Sequence, residues 1–216
     1  AGEIAYDTTA VRENGDINAT RLEAGLYGTI ERGTWNAKVY NYNSERGIPG
    51  AIVNNVWRRG ERVWDTNSFF QGSFVKEVND QFKTQVNAKY AFYRTHYVNN
   101  DDKLIEVDNL YKQREVYVST ANMYTIFPFW DVSMSYDFQW NEMKADMYGF
   151  VFPTRFTNLL SIATALRLGK VKLQGSGLAT FVNDRVKEGP APKARQILTP
   201  AVFLSYKPFD KHDFSL

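Results

Sequence analysis

Between Trp130 and Asn141 the chain alternates without a break. Trp130, Val132, Met134, Tyr136, Phe138 and Trp140 take one set of positions, and Asp131, Ser133, Ser135, Asp137, Gln139 and Asn141 take the other. Successive side chains on a strand point to opposite faces, so this segment is a strand with one apolar and one polar face. A helix would scatter both sets around its circumference. The apolar row begins and ends in Trp, the arrangement of an aromatic girdle at each edge of a membrane with an aliphatic band between.

The same period recurs along the chain. Phe82, Thr84, Val86, Ala88, Tyr90 and Phe92 alternate with Lys83, Gln85, Asn87 and Lys89. Leu160, Ile162, Leu166 and Leu168 form another row, and Val171, Leu173, Ala179 and Phe181 a further one opposite Lys172, Gln174, Ser176 and Thr180. Residues 22–30, 35–42 and 198–206 follow the pattern less cleanly, and 69–75 and 116–126 read as strands with blurred alternation. Residues 1–18 read as the tail of an earlier strand or loop.

Connectors alternate in length. Short links fall at 31–34, 77–80, 127–129 and 169–170, and longer polar or Gly/Pro-bearing links at 44–61, 99–113, 144–153 and 183–194. Short turns at one end and long loops at the other are the layout of a bacterial outer-membrane barrel. The sequence therefore predicts an all-β, antiparallel up-and-down transmembrane-type β-barrel wall over residues 1–216. It has about nine meandering strands, each about a dozen residues and long enough to cross a bilayer when tilted. The competing reading is a soluble β-sandwich or lipocalin-like barrel. Long strands and uneven connectors weigh against it, because sandwich strands average about five or six residues.

Composition fits long strands. Tyr, Phe and Trp number 13, 15 and 5, and Pro and Gly only 7 and 14. With 26 basic and 24 acidic residues the net charge is +2, which gives no electrostatic reason to expect nucleic acid as a partner. There is no Cys, hence no disulfide framework and no thiolate zinc site. No apolar run is long enough for a transmembrane helix. The first residues do not read as a signal peptide, so a mature form or a fragment is expected.

The segment Tyr40-Asn41-Tyr42-Asn43-Ser44-Glu45-Arg46-Gly47-Ile48-Pro49-Gly50-Ala51-Ile52 resembles a stretch of a large branch of TonB-dependent outer-membrane receptors, where a barrel strand rises into an extracellular loop. Asp65 to Phe70, Lys89-Tyr90-Ala91, Asn109 to Tyr117, Phe152-Pro153-Thr154-Arg155, and the stretch from Leu198 to Phe209 are similar to later landmarks of that branch, in the same order. The resemblance implies a barrel domain of about 22 strands in the complete receptor, of which this chain would be a part without the plug domain or the TonB box. It implies energy-coupled uptake of a small nutrient such as an iron chelate, a vitamin or a glycan. The implied partners are outer-membrane lipid and, through the plug region, the TonB complex, and the implied location is the outer membrane of a Gram-negative bacterium. A passive porin or adhesin barrel, and a soluble β-rich ligand-binding module, stay open as alternatives. A greasy outer face and unpaired strand edges would make the chain self-associate as a homo-oligomer outside detergent.

No enzymatic site and no cofactor are expected. The two histidines, His96 and His212, lack partners at metal-ligand spacing. Asn99-Asn100-Asp101-Asp102 lacks the spacing of a calcium loop. Gly28, Gly72, Gly175 and Gly177 lack phosphate-loop spacing and lie in strands. Asp131 and Asp137 read as polar positions inside a barrel rather than an acid/base pair. Ligand-contacting candidates come from the long links: Arg46, the basic cluster Arg58, Arg59 and Arg62, then His96, Asp101 and Asp102.

Overall fold

The computed structural model describes residues 13–50, 52–53, 56–57, 60–100, 106–209 and 212–215. The main strands are β1 (Ile17–Ile30), β2 (Gly33–Gly47), β5 (Glu61–Glu77), β6 (Phe82–Asn99), β7 (Val107–Phe127), β8 (Trp130–Ala145), β9 (Thr154–Leu168), β10 (Val171–Arg185) and β11 (Arg195–Phe209). A two-residue hairpin, β3 (Ile52–Val53) with β4 (Val56–Trp57), stands apart in the link before β5, and β12 (His212–Ser215) adds a short tenth strand. All ten sheet strands pair antiparallel with their neighbours in chain order. Among the described residues the first and last strands have one neighbour each, so the sheet does not close on itself.

The nine long strands have 14 to 21 residues, more than the alternation alone marks out. The link expected over 99–113 is shorter than that, because residues 107–113 already belong to β7. Likewise 44–47 continue β2, 144–145 continue β8, and 183–185 continue β10. The strands run on past their apolar stretch into polar sequence, where hydrophobic periodicity fades but backbone pairing does not.

Local chemistry sets the short turns. Ile30 pairs with Gly33 and Leu168 with Val171, leaving two-residue turns. Arg32 and Gly169 take the left-handed conformation such turns require, at φ 56° and 58°. In the four-residue turn before β6, Asn79 Oδ1 accepts from the N–H groups of Gln81 and Phe82 at 2.9 and 2.8 Å.

Register carries the two faces through the whole sheet. Trp130, Met134 and Tyr136 of β8 stand opposite Leu166, Ile162 and Leu160 of β9, and Leu166 and Leu160 stand opposite Leu173 and Ala179 of β10. Leu173 in turn meets Leu204 of β11. On the other side Phe138 meets Val118, Val116 meets Tyr90, Tyr90 meets Phe70, Phe70 meets Val39, and Val39 meets Ala24. The opposite face reads Glu23, Lys38, Gln71, Lys89 and Glu115 across β1 to β7.

Among the described residues no second layer buries the apolar face of this sheet. Among the described residues only Val63, Ala91 and Ala145 are buried hydrophobics. Leu26, Leu198 and Val202 keep 71%, 73% and 74% of their surface exposed. A water-soluble domain does not leave a continuous apolar face of this size open. The two packed layers of a sandwich are not found among the described residues, whose long strands all join one sheet. Trp130 to Trp140 spans about 33 Å along the strand at about 3.3 Å per residue. Tilted by about 45°, that becomes about 23 Å, close to the height of the apolar band of a membrane barrel.

Candidate functional site: the long-link end of the polar face

The polar face is densely cross-linked. Lys89 Nζ lies 3.0 Å from Glu115 Oε1 and 3.2 Å from the Tyr93 hydroxyl, with the Phe69 ring at 5.8 Å. Phe69 stacks on Tyr40 at 4.8 Å, and the Arg21 guanidinium sits over Tyr40 at 5.3 Å. The Tyr117 hydroxyl donates to Asp137 at 2.6 Å. Asp131 accepts from Thr125 at 2.7 Å and pairs with Arg167. Both aspartates thus hold cross-strand contacts on the polar face. No buried side-chain polar atom among the described residues lacks a partner.

Further toward β11 the polar face becomes small. Ser133, Ala163, Ser176 and Ala201 stand in one row across β8 to β11. They floor a groove of about 430 Å³ with Gln174 and Phe203 on its sides.

At the long-link end a larger recess of about 630 Å³ opens on the same face. Gln113, Glu115, Gln139 and Asn141 line it from β7 and β8, and Val151, Pro153, Pro190 and Pro192 from the links. One wall carries Arg155 of β9, whose Nε and Nη2 donate to Asp184 of β10 at 2.6 and 2.9 Å. A guanidinium so paired is planar, fixed and rich in donors. Together with neighbouring amides and a carboxylate, it makes this recess suited to a small polar ligand carrying oxygens.

The candidates drawn from the sequence separate. Arg46 lies in β2 on the polar face, with Nη2 3.4 Å from Asp65 Oδ2, and Asp65 also accepts from Thr95 at 2.7 Å. Arg62 lies in β5 on the face that is apolar further down, and its Nη2 reaches Asp16 at 2.8 Å and Glu45 at 2.8 Å. The Arg62 hydrogen bond and charge hold the Asp16 carboxyl below its usual 3.8. His96 lies in β6 on that same outward side, stacked on Trp64 at 5.3 Å and sharing a 2.6 Å hydrogen bond with Asp108. So Arg46, Arg62 and His96 are strand residues rather than loop residues, and only Arg46 faces the polar side. Trp64, His96, Glu45 and Arg94 line an open outward recess of about 430 Å³. Arg58, Arg59, Asp101 and Asp102 lie outside the described residues, as does the side chain of His212. Among the described residues no group of carboxylates and imidazoles has the geometry to hold a metal ion.

The Arg46-Gly47 step has a local cause. Asn14, at φ 58°, donates from Nδ2 to the Ile48 and Glu61 carbonyls at 3.0 and 2.8 Å. Its side chain occupies the space a Cβ on Gly47 would need. The clasp joins the end of β2 to the start of β5.

Sequence reasoning missed the Arg155–Asp184 pair. The two residues are 29 apart, and only the β9–β10 register brings them opposite each other.

No protein-family model matches the sequence, and no curated protein sequence matches it. Solved structures do. The ferric citrate transporter FecA is similar over 94% of this chain with a TM-score of 0.62 and 11% identity. The copper transporter OprC is similar over 90% with a TM-score of 0.67 and 12% identity. BauA, the ferric preacinetobactin receptor from Acinetobacter baumannii, is similar over 93% with a TM-score of 0.65 and 13% identity. The chain spans little more than a third of their lengths, 36%, 35% and 39%. Its fold is therefore that of a stretch of antiparallel, up-and-down β-barrel wall like those in these two transporters and this receptor.

Proposed function

We propose that residues 1–216 form part of the barrel domain of a TonB-dependent receptor in the outer membrane of a Gram-negative bacterium, taking up a small nutrient by energy-coupled transport. The observation that carries this is the two-faced sheet: an apolar band between aromatic edges on one side, and a cross-linked polar face on the other. Backbone satisfied by strand pairing, with an apolar outer surface, is one of only two ways a chain crosses a bilayer. The apolar face then meets lipid, and the polar face lines the interior. The motif at residues 40–52 and the receptor barrels that share the fold support the same family. In this reading the long links face outside the cell, and the recess beside Arg155 and Asp184 belongs to the ligand's entry route. The plug and the segment that meets TonB belong to the rest of the receptor. The nutrient class is an iron chelate, a metal ion, a vitamin or a glycan.

A passive porin would use a similar wall. The two readings part in a planar bilayer. On the receptor reading the intact protein, its lumen plugged, should carry no steady ion current. Large open steps from untreated protein would contradict the receptor reading and favour the porin.

A further inference from the structure

Within the apolar band, the outward rows of β6 and β7 are broken by a polar triad. Thr84 of β6 is the register partner of Asn122 in β7, and Asn122 is the partner of Met134 in β8. Thr120, two residues along β7, stands between Val86 and Tyr136. These positions share the parity of Val86, Val118 and Met134, so they point to the outside of the wall. The Thr84 hydroxyl donates to Asn122 Oδ1 at 2.8 Å, and Asn122 Nδ2 donates to Thr120 Oγ1 at 3.2 Å. Around them Val86, Val118, Tyr124 and Met134 are exposed.

On the membrane side of the wall this triad faces hydrocarbon. Asn122 lies well inside the band, because its partner Met134 sits between Trp130 and Trp140 on β8. An amide carries two N–H donors and an oxygen with two lone pairs. The contacts to Thr84 and Thr120 use one of each, and no other described residue meets the amide. Lipid tails offer neither donor nor acceptor, so the unmatched half of the amide is costly there. The next outward rung beyond Val86 holds Ala88, opposite Gly72 of β5. Small side chains beside a polar group let another surface come close.

We infer that this face of β6 and β7 is a contact between two copies of the receptor within the membrane, with Asn122 of each copy hydrogen-bonded to the other's. The inference rests on the membrane reading above. Depth and amide chemistry select the occupant. A two-fold axis along the membrane normal places every residue at the same depth as its counterpart. An amide is its own complement, so the spare N–H of one Asn122 meets the spare lone pair of the other. A different partner would need an amide at that depth, which a second copy carries already. Lipid alone leaves both groups unmatched.

The test reconstitutes the full receptor into phosphatidylcholine vesicles, with donor or acceptor dye on Glu31→Cys in a short turn, and dilutes it with lipid. Energy transfer above that of random proximity reads the paired fraction. Asn122→Leu should raise the protein-to-lipid ratio at half pairing by about tenfold, the worth of two such hydrogen bonds in a membrane. Asn158→Leu, on the outward side of β9 where Asn158 accepts from Tyr136, should shift it less than about twofold. Independently of the Leu variants, Asn122→Cys should form an interchain disulfide under oxidation and Leu160→Cys none. Energy transfer no greater than random, an unmoved midpoint in Asn122→Leu, an equal shift in Asn158→Leu, or no disulfide through Asn122→Cys would each overturn the contact. A chain that stays in water and does not enter vesicles would overturn the membrane reading as well. A receptor that inserts fully yet stays single at every density would sink the contact alone.

Discussion

At the scale of single residues, the sheet's outer surface is built on close pairings that tolerate little change. Gly28 has no side chain because the Trp35 indole lies across it. A Cβ there would meet the indole nitrogen at 2.5 Å. An aromatic laid over a strand glycine covers its exposed backbone. Gly28→Ala should therefore cost about 1–3 kcal/mol through overpacking. Gly177→Ala, where a Cβ meets nothing within 4 Å, should be neutral or stabilise by about 0.4–1 kcal/mol. Urea unfolding of both variants in micelles checks the opposite signs. Trp130 is similarly fixed, since its indole N–H donates to Thr164 at 2.8 Å.

Asp16, just before β1, supplies a pH prediction. Its folded-state value is depressed, with the Arg62 hydrogen bond the largest cause. Its pairing is therefore intact above 3.8 and lost as pH falls through the lower folded value. An NMR titration of the Asp16 carboxyl carbon should give a midpoint below 3.8, and Arg62→Gln should return it toward 3.8. A midpoint at or above 3.8 in the unmodified protein would show that the Asp16–Arg62 pairing is absent in solution.

At the scale of the strand, legibility depended on what each face had to accommodate. β8 was readable because every inward position from Asp131 to Asn141 is polar and every outward one apolar. β5 blurred because Phe69 points inward to stack on Tyr40 while its neighbour Phe70 points outward. β7 blurred over residues 116–126 because Thr120 and Asn122 stand on the outward side while Tyr117 and Met123 stand on the inward one, and as the longest strand it also outruns the apolar band. That same overrun placed Arg46, Arg62 and His96 in strands, where fading periodicity had implied loops. The face assignment predicts a contrast between adjacent β8 positions. Met134→Arg places a charge in the lipid band and should cost about 2–4 kcal/mol. Ser133→Arg faces the interior and should cost far less. Equal costs in bilayer refolding would mean that the two faces do not differ in solvent.

At the scale of the whole molecule, the wall was legible in the sequence and the recess was not. Strand alternation and uneven connectors are local properties, carried by residues within a dozen positions of each other. The recess beside Arg155 and Asp184 draws on β7, β8, β9, β10 and two links, and depends on register across all of them. In the proposed reading, lipid covers the apolar surface that this open sheet leaves exposed.

A nitroxide scan tests that claim most directly, and the absence of native cysteine leaves it free of background labelling. Each position from 130 to 141 is replaced in turn by a labelled cysteine in the bilayer-reconstituted protein, and accessibility to oxygen and to a water-soluble nickel reagent is measured. Oxygen accessibility should peak at the positions of Trp130, Val132, Met134, Tyr136, Phe138 and Trp140, and nickel accessibility at the positions between them. A scan without period two, or one with nickel reaching both sets equally, would contradict a membrane-spanning wall.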